Sequence, residues 1–292
     1  MKLLIDTDIG DDYDDVFTLA VALASAEVDV VGITTVAGNT GLRARLTRRF
    51  LAIAGRDDIP VAIGSETKTG APFTHRRWAQ GGPDVGPNEP HAVDLIMSAA
   101  AAYPDEITLL AIGPLSNLAA ALEHDPATFR RLKRIVLMGG SVYRGYRDLA
   151  WSAEGHPSVE YNIVSDIPAA RAVFAAGVPL TVAPLDATMV AFDELKRQLL
   201  FTRSTPITDA LALTYLQWSA VSGRPTPILY DTVALAWLIE PDMFKVERLR
   251  LEVDDEGFTR VAEGPANADV LLGIDEDRFH RWLMPRLVGG KR

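Results

Sequence analysis

Short apolar runs recur along the chain, and segments with helical spacing separate them. Seven runs read as strands: residues 2–5, 28–34, 60–63, 107–112, 135–138, 180–183 and 249–253. Continuous apolar character, without polar alternation, predicts strands covered on both faces, as in a parallel sheet. Between them, residues 14–26, 41–54, 91–103, 115–122 and 167–175 carry amphipathic or alanine-rich helical patterns. Residues 193–240 read as mostly helical, and 275–287 as a closing helix. The alternation predicts an α/β fold: an open, mainly parallel sheet with helices on both faces and a Rossmann-like core. No repeat, low-complexity tract or linker-like shift divides the chain, so a single domain over residues 1–292 is expected. Residues 64–90, rich in Gly and Pro, break the rhythm. They are expected to form a long surface loop, and such loops often serve as lids or binding loops.

Composition narrows the chemistry. With 48% hydrophobic and 23% charged residues the chain is globular, not disordered. A net charge of −10 argues against nonspecific nucleic-acid binding, which needs clustered Lys and Arg. The absence of cysteine excludes disulfides, thiolate metal sites and a cysteine nucleophile. The longest uncharged stretch, residues 107–122, contains Pro114, Ser116 and Asn117 and falls short of the ~20 apolar residues that span a bilayer. The N-terminus reaches Asp6 too early for a signal peptide. A soluble, cytoplasmic protein without membrane or nucleic-acid partners is expected. Its chemistry must come from carboxylates, amides, hydroxyls and five histidines.

Directly after the first strand stand Asp6, Asp8, Asp11, Asp12, Asp14 and Asp15. In an open parallel sheet, ligands bind at the carboxyl ends of strands, where this cluster falls. Crowded carboxylates repel unless a cation or protons relieve them. An all-oxygen donor set suits a hard cation, Ca²⁺ or Mg²⁺, rather than zinc. A helix N-terminus would also welcome Asp14 and Asp15, but that accounts for only part of the cluster. An EF-hand counted from Asp6 requires Gly and Glu where Asp11 and Phe17 stand, and no P-loop motif is present. Asp6-Thr7-Asp8 also meets the minimum pattern of an Asp-x-Asp, Mg²⁺-dependent phosphohydrolase, though the Gly-Thr that follows in those enzymes is missing.

Asp6-Thr7-Asp8-Ile9-Gly10 followed by Asp14-Asp15 resembles the hallmark of the inosine–uridine-preferring nucleoside hydrolase family, with two extra residues after the glycine. Ile33-Thr34-Thr35-Val36-Ala37-Gly38-Asn39, Ile112-Gly113-Pro114-Leu115-Ser116-Asn117, Val136-Leu137-Met138-Gly139-Gly140, Glu160-Tyr161-Asn162 and Tyr230-Asp231-Thr232 continue the likeness in order. The resemblance implies a Ca²⁺-dependent N-ribohydrolase that cleaves purine or pyrimidine ribonucleosides to ribose and free base, in nucleoside catabolism or salvage. It implies calcium held by Asp8, Asp15, Asp231 and the backbone carbonyl of Ile112, with Asp8 also acting as general base on a calcium-bound water. Asp14 and Asn162 would hold the ribose 2′- and 3′-hydroxyls, while Asn39, Met138 and Glu160 would line the sugar pocket. A homodimer or homotetramer is implied as well.

Each motif has a plainer structural reading. Gly38-Asn39 is a common turn pair, Met138 suits a strand end, Glu160 and Asn162 alternate as on a half-exposed strand, and Asp231 suits an N-cap. The sequence also departs from the family: Tyr230 stands where many members carry a histidine that protonates a purine, and Gln80-Gly81 replaces a His-Gly pair of the mobile loop. A phenol is a weaker acid than imidazolium. Leaving-group activation is therefore expected to differ, with Tyr230 as at most a hydrogen-bond donor and purine nucleosides as poor substrates. Trp78, Trp151, Trp218 and Tyr215 are candidates for stacking on the base, and His75 and His156 for loops near the pocket. A ribose- or nucleoside-binding protein without turnover is the alternative from another class.

Overall fold

Side-chain alternation in the first strand sets the architecture. In β1 (Lys2–Thr7), Leu3 and Ile5 join one apolar core and Leu4 the other. The same split divides Leu110 and Ile112 from Leu109 and Ala111 in β4 (Ile107–Ile112). It also divides Val136 and Met138 from Ile135 and Leu137 in β5 (Arg134–Met138). Continuous apolar runs arise because both faces of the sheet are covered. The computed structural model describes residues 1–86, 89–146 and 156–288.

The remaining strands are β2 (Asp29–Thr35), β3 (Val61–Ile63), β6 (Leu180–Ala183), β7 (Phe244–Leu249), β8 (Leu251–Val253), β9 (Thr259–Val261) and β10 (Ala268–Ile274). Eight of the ten strands form one sheet in the order β3-β2-β1-β4-β5-β6-β10-β7, and β8 pairs with β9 apart from it. All neighbours in the large sheet are parallel except β10 and β7. The chain runs outward from β1 to β2 and β3, then returns to place β4 on the other side of β1. That reversal opens a crevice at the carboxyl ends of β1 and β4.

Helices α1 (Asp14–Ala24), α2 (Thr40–Ala54) and α3 (Arg76–Gln80) follow the first strands. Next come α4 (Ala92–Ala102), α5 (Ser116–His124), α6 (Pro126–Phe129), α7 (Tyr161–Val164), α8 (Ile167–Phe174) and α9 (Leu185–Thr188). Last are α10 (Glu194–Phe201), α11 (Pro206–Ser222), α12 (Tyr230–Ile239) and α13 (Glu276–Val288). Helices α1, α12 and α13 bury their apolar sides in one core, and α4, α5 and α8 in the other. No helix among the described residues is long and apolar enough to cross a membrane.

Three expectations need correction. The run 249–253 is not one strand, because β7 ends at Leu249 and β8 begins at Leu251. Strand β10, inserted between β6 and β7, is not signalled by an apolar run, since Asp269 and Gly273 interrupt it. Its neighbour β7 carries Lys245, Glu247 and Arg248, which suits an edge strand that must not pair further. Residues 64–90 are more than a surface loop: α3 lies among them, and Thr74, His75, Trp78 and Ala79 are buried.

Candidate active site

The turn after β1 and the first turns of two helices supply the acidic groups. Asp14 and Asp15 open α1, and Asp231 lies in the first turn of α12. Neither helix has a side-chain cap at its N-terminus, so carboxylates in the first turn face free N–H groups and the positive end of each macrodipole. The Asp231 N–H donates to Asp14 Oδ2 at 3.4 Å, across 217 positions of sequence. A buried contact between Thr18 Oγ1 and Thr232 Oγ1, 2.8 Å, fastens the same two helices one turn further in.

Carboxylate oxygens of Asp14, Asp15 and Asp231 lie within 4.8 Å of one another, and all three residues are buried. Burial raises each well above the usual carboxylate range, and the neighbouring negative charges raise it further. Thr7 Oγ1 donates to Asp15 and orients it from the end of β1. Asp8 is not one of the three but borders the same cavity, and its charge acts on all of them. Burial pushes the Asp8 carboxyl up to about 7, against the opposing pull of Arg43. A buried oxygen-only cluster, charged on one sign and crowded, fits a hard divalent cation.

The cavity measures about 510 Å³. Its walls include Asp8, Asp14, Asp15, Ile112, Met138, Glu160, Asn162, Tyr230 and Asp231, so these residues converge from five separate segments. Asn39 is the exception. It is exposed, its side chain accepts from the Leu42 N–H at 2.8 Å, and it caps α2 without bordering the cavity. The turn reading describes Asn39 better than the sugar-pocket reading.

Glu160 and Asn162 are not on a strand. Glu160 caps α7: its carboxylate accepts from Asn162 N at 2.9 Å and Ile163 N at 3.1 Å, and from Gly140 N at 2.9 Å. Asn162 Nδ2 donates to the Met138 carbonyl at 3.0 Å, tying α7 to the end of β5. Asp6 turns away from the cavity, with Thr34 and Asn117 donating to it, the latter at 2.7 Å. Asn117 also accepts from Ser65 N at 2.9 Å, which gives the Ser116-Asn117 end of its motif a structural task.

Several wall residues carried no sequence signal. Tyr146 stands edge-on to Tyr230, with centroids 6.3 Å apart, and accepts from Tyr161 N at 3.2 Å. Asp186 holds the Tyr146 segment by accepting from the N–H groups of Val142, Tyr143 and Arg144 at 2.8, 2.8 and 3.1 Å. Of the aromatic candidates, Trp218 borders the cavity and Tyr215 packs behind it at 6.1 Å. Trp78 is buried elsewhere, under Arg49, and Trp151 lies outside the described residues. All five histidines are described and none borders the cavity. His75 is fully buried beside Thr74, and His156 is exposed.

The model of the inosine-uridine preferring nucleoside hydrolase family matches residues 3–281. An uncharacterized protein of Schizosaccharomyces pombe is 33% identical over 98% of this chain and 99% of its own. The non-specific ribonucleoside hydrolase RihC of Salmonella newport is 32% identical over 97% of this chain and 96% of its own. Among solved structures, a plant nucleoside hydrolase superposes with a TM-score of 0.85 at 25% identity, covering 98% of both chains. A purine-preferring ribonucleoside hydrolase from Gardnerella vaginalis shares the fold, with a TM-score of 0.80 at 24% identity over 99% of this chain and 98% of its own. Motif order, sheet topology and these likenesses agree: the chain belongs to the inosine–uridine-preferring nucleoside hydrolase family, a family of enzymes.

Proposed function

We propose that this enzyme hydrolyses the N-glycosidic bond of purine or pyrimidine ribonucleosides with Ca²⁺ as cofactor. The observation that carries the reading is the buried trio of Asp14, Asp15 and Asp231 in a cavity that Asp8, Asn162 and Tyr230 also border. Asp8, Asp15, Asp231 and the Ile112 carbonyl would hold the ion. When bound, calcium supplies the positive charge that acidifies an attacking water and grips vicinal hydroxyls.

The protein's own groups do the rest. Asp8 takes the proton from the attacking water. Asp14 and Asn162 hold the ribose diol, which turns binding into orientation and is worth several kcal/mol of barrier. The carboxylate field stabilises the positive charge that develops at the anomeric carbon as the C–N bond breaks. Met138 and Glu160 border the sugar, and Tyr230, with Tyr146 and Trp218 nearby, faces the base. No imidazole is available for the departing base, so Tyr230 offers a hydrogen bond rather than a readily transferred proton. Breadth across bases is supported by the relative named a non-specific ribonucleoside hydrolase.

The test is a panel of inosine, adenosine, uridine and cytidine assayed for free ribose, with calcium and with a chelator. Release that stops on chelation is the expected result. Asn162→Ala should raise KM and lower kcat/KM by about tenfold or more, the cost of one or two hydrogen bonds to the diol. Tight nucleoside binding without ribose release would leave a binding protein instead.

A further inference from the structure

One buried cation stands behind the acidic loop. Arg43 lies in the first turns of α2, and its side chain is fully buried. Its Nε donates to the Ala37 carbonyl at 2.7 Å, and Nη1 donates to the carbonyls of Asp8 and of Ile9, the latter at 3.1 Å. The fork closes on Asp11, with Nη2 at 2.7 Å and Nη1 at 3.1 Å from the two carboxylate oxygens. The guanidinium plane lies 5.4 Å from the ring of Phe73, which in turn packs on Gly10. One side chain thus joins the β1–α1 turn, the β2–α2 turn and the segment before α3. Asp11 lies among the three residues that separate Gly10 from Asp14. Arg43 also sits where its charge opposes a bound cation, acting on Asp8 and Asp15, so metal binding alone gives no reason for it.

We infer that Arg43, locked to Asp11, is a positioning residue that fixes the Asp8 carboxylate for its work as general base. The inference rests on the reading of Asp8 given above. Only a planar fork with several donors can take two adjacent carbonyls, a third from another turn and a bidentate carboxylate together, so lysine is no substitute. Asp14, Asp15 and Asp231 are held by different contacts, from Thr7 and between α1 and α12, and do not depend on this clamp.

Two variants keep the local net charge unchanged: Arg43→Lys, and the double replacement Arg43→Met with Asp11→Leu. Turnover of the best nucleoside at saturating calcium, calcium affinity of the metal-free protein by calorimetry, and hydrogen exchange of the amides of residues 8–13 are measured for each. The expected result is a fall in kcat of tenfold or more at saturating calcium and faster exchange in that segment, with KM within threefold of the parent and weaker calcium affinity, because Asp8 is also read as a ligand. A smaller fall in kcat in a folded variant overturns the inference. So does exchange in residues 8–13 at the parent's rate, which would show that the clamp does not hold the Asp8 segment. Asp11→Asn, which preserves the shape of the pair, covers the case in which both variants unfold: kcat should fall at least threefold, and an unchanged kcat overturns the inference. A parent enzyme that releases ribose from no nucleoside would instead overturn the reading of Asp8, while the exchange measurement still reports on the clamp.

Discussion

Tyr230 and His75 show how a single side chain's surroundings decide what it contributes. Tyr230 borders the cavity edge-on to Tyr146. If it donates only a hydrogen bond, Tyr230→Phe forfeits about 1 kcal/mol, and kcat for inosine should fall about fivefold. A loss of a thousandfold in steady-state kinetics would mean that the phenol transfers its proton. His75 is buried, and burial pushes its imidazole down from the ordinary 6.5 to about 4. Between those values the unfolded chain binds a proton that the folded chain refuses, so stability falls as pH drops through this window. The contribution amounts to about 3 kcal/mol. Urea unfolding at pH 7.5 and 4.5 should therefore show a steeper acid loss in the parent than in His75→Asn. In the candidate site, Asp8, Asp14 and Asp15 drew attention because six crowded aspartates follow a buried strand, whereas Asp231 was marked only by the family resemblance. Asn39 misled, since a capping asparagine and a ligand-binding one look alike in sequence.

The elements place these residues through close backbone approaches. At the β4–α5 turn, Gly113 leaves no room for a side chain: a Cβ there would meet Asp8 N at 2.9 Å and Asp8 Oδ1 at 3.1 Å. Val36 Cγ1, at 2.8 Å, blocks the escape on the other side. Gly113→Ala must therefore push the β1 turn away from β4, and kcat/KM is expected to fall about a hundredfold, because misplacement of ~1 Å can cost that much. Circular dichroism should show the helices and strands intact. Elements that are buried on both faces, such as β1, β4 and β6, were readable as continuous apolar runs. The antiparallel partners β7 and β10 were not, because one is a charged edge and the other is broken by Asp269 and Gly273. In the same way, α3 is a short helix in a Gly- and Pro-rich stretch, and its burial comes from packing on α2 rather than from its own pattern.

For the molecule as a whole, the buried acidic trio is a local electrostatic conflict, which the proposed metal site would explain. Four buried carboxylates with raised pKa values burden the metal-free state, and a bound divalent ion should relieve them. An ion that binds only the folded chain stabilises it by about 2.7 kcal/mol at a hundred times Kd. Calorimetry should then show a Tm higher by roughly 5 °C in calcium than in chelator, by the size scaling of thermal unfolding. Magnesium, which demands a stricter geometry and sheds water reluctantly, should give a smaller rise.

The hydrogen bond from Asp231 to Asp14 spans 217 residues, and it also dates the site in the life of the protein. In a growing chain, β1 through β6 are all synthesised before α12. Until then Asp14 and Asp15 lack the Asp231 carboxylate that comes within 4.8 Å of them. On the proposed reading, chains that stop short of Tyr230 lack the Asp231 carboxylate and should bind calcium more weakly than the full chain.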